Sequence, residues 1–179
     1  FRRVLFRSTH YLYDAQRRLL AELDERGTVQ RQYLYLADWP VAVLDRIRAP
    51  ETPENSVASA RPVFQIRFLH LNHLGAPELV TNIRGQVLWR ATYAPFGRRL
   101  AGSEPAPFSG YRLALRLPGQ IEDPETGLHY NDHRYYNPDT GRYLSPDPLG
   151  PDAGPNPYVY ASNSPLTKID PSGLLLFAF

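Results

Sequence analysis

The chain has 179 residues, with 20 basic against 18 acidic side chains and a formal net charge of +2; no basic cluster interleaved with aromatics suggests a nucleic-acid groove. It has no cysteine, which excludes disulfides and thiolate metal sites and leaves the redox compartment open. Its 18 Pro, 12 Gly, 12 Tyr and 8 Phe punctuate the backbone too often for long helices and suit pleated strands, and no apolar run approaches the roughly 18 to 20 residues that span a membrane.

In chain order, residues 2–8 (Arg-Arg-Val-Leu-Phe-Arg-Ser) lack the apolar core and small-residue cleavage site of a signal peptide. They resemble the conceptual translation of a common short-read sequencing adapter, so residues 1–8 are expected to be an assembly artefact, with the natural chain extending upstream. Without Arg2, Arg3 and Arg7 the balance is 17 basic to 18 acidic. Strand signals begin at Tyr11-Leu12-Tyr13-Asp14 and return at Tyr33-Leu34-Tyr35, 22 positions later, with Gly27 between them. Residues 17–27 carry Leu19, Leu20 and Leu23 at helix-like spacing, but their place between aromatic strand signals favours strand and turn. Residues 49–62 are rich in Pro, Ser and Ala and are expected to form an exposed loop.

Further strands are expected at 63–71, 86–93, 128–136, 142–145 and 158–161, where β-branched or aromatic residues recur, several with period two. Asp123-Pro-Glu-Thr-Gly127 returns as Asn137-Pro-Asp-Thr-Gly141. Each supplies an Asx, a proline with fixed φ and a glycine free to take positive φ, which together make a hairpin loop. A second pair of motifs follows: Asp147-Pro148-Leu149-Gly150 and Asp170-Pro171-Ser172-Gly173. Asp-Pro-x-Gly is a strong type I turn sequence, so two turns are the plain structural reading. Two carboxylates brought together for chemistry are the functional one.

The histidines carry less. His70 and His73 lie three apart and His129 and His133 four apart, and no flanking acid completes a ligand set. No metal or cofactor is expected. In a single strand over 128–136, His129, Asn131 and His133 would share one face, with Asp132 and Arg134 opposite.

Taken together these segments resemble the Rhs and YD-repeat family. Residues 11–20 are similar to its Tyr-Asp repeat, although Arg17 stands where the family usually has Gly. Residues 70–98 resemble the segment that follows the repeats, and residues 118–174 resemble the Rhs repeat-associated core. The expected organisation is therefore YD-like strands at 9–48, the loop at 49–62, a post-repeat β segment at 63–117, the core at 118–174, and the start of a variable region at 175–179. The fold implied is all-β: successive antiparallel strand–turn–strand repeats forming part of a spiralling β-shell, with a turn-rich C-terminal core.

The resemblance implies a shell that encloses a C-terminal toxin-like polypeptide and a core that cuts the chain after its second Asp-Pro-x-Gly-Leu. Carried onto this sequence, the aspartates are Asp147 and Asp170, the supporting arginine is Arg134, and the cut bond is Leu174–Leu175. Pro148, Gly150, Pro171 and Gly173 make the turns. The partners implied are the chain's own C-terminal polypeptide as cargo and secretion-apparatus or toxin-complex proteins, at a secreted or cell-surface location. The alternative is a non-enzymatic secreted or surface scaffold in which both motifs are only turns.

The chemistry is sound by itself. Two carboxylates sharing a proton can hydrolyse an amide, one activating water and the other donating to the carbonyl oxygen. A guanidinium favours the ionised partner or stabilises the oxyanion. A bond tethered four residues after Asp170 makes the reaction intramolecular, so positioning supplies much of the rate.

Overall fold

The computed structural model describes residues 8–47, 62–101, 110–174 and 177–178. The expected artefact (except Ser8), the expected loop (except Pro62), Leu175, Leu176 and Phe179 lie outside these residues. The chain divides into two compact units, residues 1–68 and 69–179. Among the described residues every paired strand is antiparallel, and the only helical segments are short 3-10 turns.

In the first unit β1 (His10–Tyr13), β2 (Leu19–Leu23), β3 (Val29–Leu36), β4 (Trp39–Ile47) and the start of β5 (Val63–Leu71) pair in sequence order. Residues 17–27 are strand and turn. The β1–β2 and β2–β3 loops are built alike. Oδ1 of Asp14 accepts the N–H groups of Gln16 and Arg18, and Oδ1 of Asp24 those of Arg26 and Thr28. A short carboxylate thus takes over the backbone bonds of the reversal. The chain then turns through a left-handed residue, Gly27 at φ 73° or Arg17 at φ 64°; the arginine accepts a conformation that a glycine would take without Cβ strain.

One face of this unit carries a charged row. Glu22, Arg31 and Asp45 are successive cross-strand neighbours, and Arg31 Nε lies 2.6 Å from Asp45 Oδ1. The Tyr33 hydroxyl donates to Glu22. Opposite charges facing each other across a sheet contribute about 0.2–1 kcal/mol per pair.

The second unit reuses the loop with asparagine. Asn72 Oδ1 accepts Leu74 and Ala76 N–H, and Asn82 Oδ1 accepts Arg84 and Gln86 N–H. The second loop joins β6 (Pro77–Thr81) to β7 (Val87–Arg90). A small sheet follows in the order β11-β10-β9-β8: β8 (Ile121–Glu122), β9 (His129–Asn131), β10 (Arg134–Asn137) and β11 (Arg142–Tyr143). The Asp123–Gly127 motif closes the β8–β9 hairpin and the Asn137–Gly141 motif the β10–β11 hairpin, each with the glycine N–H on the Asx carbonyl. Finally β12 (Lys168–Ile169) pairs with β13 (Phe177–Ala178).

Two expectations fail here. Residues 128–136 are not one strand but a tight hairpin, reversing at Asp132 (φ 52°). The reversal uses Asp132, a residue type that tolerates the left-handed region, in place of the glycine or proline that marks the other loops. Arg134 is therefore the cross-strand partner of Asn131 and shares its face, instead of lying opposite. Residues 158–161 are not a strand either. Only Val159 bridges, to Arg142, and the chain then enters a 3-10 turn over Ala161–Asn163 whose three residues all have positive φ.

The core beneath the sheet is aromatic. Tyr136, Tyr143 and Tyr160 are buried with Ala76, Leu117 and Ala161, and Tyr93 and Phe96 pack against them. Tyr136 meets Tyr143 edge-on at 5.6 Å, a geometry that ring quadrupoles favour, and packs against Tyr160 in a tilted arrangement at 4.8 Å. This cluster fixes β10 and β11, from which the site is built.

Candidate active site

The first Asp-Pro-x-Gly folds as its sequence dictates. Gly150 N–H donates to the Asp147 carbonyl at 3.0 Å, and Leu149 N–H donates to Asp147 Oδ1 at 2.9 Å. Gly150 takes φ 64°. With one carboxylate oxygen committed to the turn, Asp147 presents Oδ2 inward. Asp147 N–H in turn donates to the Pro157 carbonyl, which docks the turn on the segment before Tyr160.

The second motif is different. The Asp170 carbonyl is taken by the Asn131 amide at 2.9 Å, and Asp170 Oδ1 accepts Leu174 N–H at 3.0 Å. Gly173 has φ 71°, and a Cβ there would meet the Asn131 carbonyl at 2.6 Å. Only glycine fits. A second glycine supports the motif from below: Gly119, φ 80°, packs so closely that a Cβ would lie 1.9 Å from the Pro171 carbonyl oxygen.

Arg134 joins the two motifs. Its Nη2 lies 2.8 Å from Asp147 Oδ2 and 3.5 Å from Asp170 Oδ2. Nε donates to the Gly173 carbonyl at 2.6 Å, and Nη1 donates to the Pro157 carbonyl at 2.9 Å. The side chains of Arg134, Asp147 and Asp170 are 2%, 5% and 2% exposed, so solvent screens these charges little. Asp147, Asp170, Arg134 and Leu174, which the sequence singles out, thus meet at one place; Leu175 lies outside the described residues. Asp147 and Asp170 are brought together through the guanidinium between them.

Two participants carried no sequence signal that singled them out. Tyr143 donates its hydroxyl to Asp170 Oδ2 at 2.7 Å, and the Arg134 guanidinium lies 3.6 Å from the centre of its ring. Asn131 donates to both the Tyr143 hydroxyl (2.8 Å) and the Asp170 carbonyl. Both stand in Tyr-rich segments, where aromatics read as wall and Asn131 reads as one more residue of a strand.

Burial pushes the Asp170 carboxyl above its ordinary range; the Tyr143 hydroxyl, the Arg134 charge and the backbone N–H groups of Leu174 and Gly173 oppose that rise without cancelling it. Burial, and then the neighbouring Asp170 charge, hold the Tyr143 hydroxyl protonated far above its usual range. A cleft of about 530 Å³ is lined by Arg134, Asp147, Asn156, Val159, Asp170 and Leu174. The peptide held on both sides is Gly173–Leu174: Arg134 binds its carbonyl and Asp170 its N–H.

The histidines do other work. His70 pairs with Thr81, His73 with the Leu166 carbonyl, His129 with Gln120 and His133 with the Ser172 carbonyl. Among the described residues no three His, Asp or Glu side chains gather as a metal site.

The teneurin YD-shell family model matches residues 57–154. The double-stranded DNA deaminase toxin A of Burkholderia cenocepacia is 38% identical over 160 residues, covering 88% of this chain and 11% of that protein. The toxin protein Tse5 of Pseudomonas aeruginosa is 44% identical over 112 residues, covering 63% and 8%. The chain thus spans only about a tenth of the length of these relatives. Among solved structures, the TcdB2-TccC3-TEV crystal structure has a TM-score of 0.57 at 23% identity, covering 97% of this chain and 9% of that one. The Photorhabdus luminescens Tc holotoxin pore gives 0.57 at 23% identity, covering 93% and 9%. At this identity the likeness is one of fold. The chain belongs to the teneurin YD-shell family, among the Rhs and YD-repeat proteins.

Proposed function

We propose that this chain is the C-terminal core of an Rhs/YD-repeat shell protein that encloses a C-terminal toxin-like polypeptide and releases it by a single aspartate-dependent cut after Leu174. The observation that carries the reading is one buried guanidinium nitrogen facing both Asp147 and Asp170, four residues before the bond to be cut. That the two relatives described above are toxins supports a toxin as the cargo, and the likeness to Tc assemblies supports toxin-complex proteins as partners. Residues 118–174 act as the core, 9–48 and 63–117 as shell, and 175 onward as cargo, in a protein destined for secretion or the cell surface.

Asp147 is the base, since Arg134 lies nearer to it than to Asp170. Asp170, whose burial favours the protonated form, is the acid. Water adds to the Leu174 carbonyl carbon as Asp147 takes its proton, and Asp170 gives its proton to the departing nitrogen of Leu175. The C–N bond breaks, leaving a carboxyl on Leu174 and an amine on Leu175. Arg134 and Asp170 hold the preceding peptide, Gly173–Leu174, and so present the next bond; one turnover per chain suffices. The full-length chain should purify as two fragments, and Asp147→Asn and Asp170→Asn should each purify whole. A single intact parent chain would favour the scaffold in which both motifs are only turns.

A further inference from the structure

The two oxygens of Asp170 are not equivalent. Oδ1 faces Leu174 N–H, and Oδ2 faces the Tyr143 hydroxyl and Arg134. Tyr143 has one proton to donate, and the Asn131 amide is already donating to its oxygen at 2.8 Å. A hydroxyl approached by a donor on one side must direct its own hydrogen elsewhere, and the acceptor within reach is Asp170 Oδ2. Asn131 is held in turn, because it bonds the Asp170 carbonyl as well. The ring cannot swing away: it packs edge-on against Tyr136 on one side and carries Arg134 on the other.

We infer that Tyr143, locked by Asn131, is a positioning residue that makes Oδ2 of Asp170 the acceptor of two donors and so places the carboxyl proton on Oδ1, which faces a single backbone N–H and keeps a lone pair for it. This rests on the aspartate-dependent cut proposed above. An acid that shared its proton between both oxygens would spend part of its time with the proton turned away from the peptide. Tyr143 would then raise the rate without touching the substrate. The titratable and charged groups around Asp170 are Arg134 from β10, Tyr143 from β11, Asp147 from the first turn and Tyr160 from the segment before the 3-10 turn. Of these only Tyr143 donates a neutral hydroxyl to Asp170, so its removal changes the proton's place while leaving the arginine and its charge.

The test is the pH profile of cutting in the full-length chain, translated in vitro, diluted into buffers of increasing pH and timed by fragment appearance. Tyr143→Phe keeps the ring under Arg134 and removes only the hydroxyl. Loss of a donor to the ionised form lets Asp170 hold its proton to higher pH, so the alkaline limb should move upward while the maximal rate falls about three- to tenfold. Asn131→Ala, which frees the hydroxyl to rotate, should move the same limb in the same direction by less, and it serves if Tyr143→Phe fails to fold. A profile that keeps its limbs and only drops in height means a structural role and overturns the inference. Asp170→Asn separates the two claims. If it still cuts, the aspartate mechanism falls and this inference with it; if it is inert while Tyr143→Phe keeps the parent profile, only the inference falls.

Discussion

The guanidinium of Arg134 lies 2.8 Å from the carboxylate of Asp147, and both side chains are almost fully withdrawn from water. A buried pair of this kind is costly to break, because removing one member strands the other. Arg134→Ala leaves Asp147 unpaired and Asp170 with less opposing charge, and should destabilise the core by about 3–5 kcal/mol while abolishing cutting. Arg134→Lys keeps the charge but cannot reproduce the fork that also binds the Gly173 and Pro157 carbonyls. It should fold and cut slowly. Thermal melts paired with fragment analysis separate the two variants.

The close approach of Gly119 to Pro171 makes a remote position matter to the second motif. Gly119→Ala adds a Cβ that would sit 1.9 Å from the Pro171 carbonyl oxygen at φ 80°. The backbone must move, so it should cost more than about 2 kcal/mol and slow cutting. Gly127→Ala has φ 72° but open space around its Cβ. It should cost only the left-handed strain of about 1–2 kcal/mol and leave cutting unchanged. Denaturant midpoints and cutting rates for the pair distinguish crowding from strain.

His129 gives a pH signature. It is buried against Gln120, and burial first, then the charges of Arg116 and Arg99, lower its pKa to about 3. The unfolded chain therefore binds a proton that the folded chain refuses between about pH 6.5 and the folded value. Stability contributed by this site is present above the unfolded pKa and falls with pH below it, by up to about 1.4 kcal/mol per unit. Asp170, raised by burial, contributes with the opposite sign. The difference between the parent and His129→Gln isolates the histidine: the variant should lose less stability in acid, read from denaturant titrations across that range.

Much of this architecture is legible in the residues. An Asx followed by proline and then glycine announces the hairpin loops at Asp123–Gly127 and Asn137–Gly141, because proline fixes φ and glycine accepts the left-handed position of the reversal. The two Asp-Pro-x-Gly motifs stand out for the same reason. The hairpin at Asp132 is obscured by the aromatic runs on either side, which read as one strand although Asn131-Asp132 are turn-forming residue types, and the pairing of Arg134 with Asn131 is hidden with it. Tyr143 and Asn131 escaped because their role depends on a cross-strand register and on a contact 39 positions away in sequence, from Asn131 to Asp170. Local periodicity carries no such information. Residues 158–161 look like a strand by composition, yet positive φ from Ala161 to Asn163 ends any ladder there.

Whether Asp147 and Asp170 cut the chain after Leu174 is read from the intact mass of the purified full-length protein. The expected result is two polypeptides whose masses together exceed the uncut chain by one water, the downstream one beginning at Leu175, and a single uncut chain for Asp170→Asn. A parent protein of one intact mass, or an Asp170→Asn variant that yields the same two fragments, would contradict it.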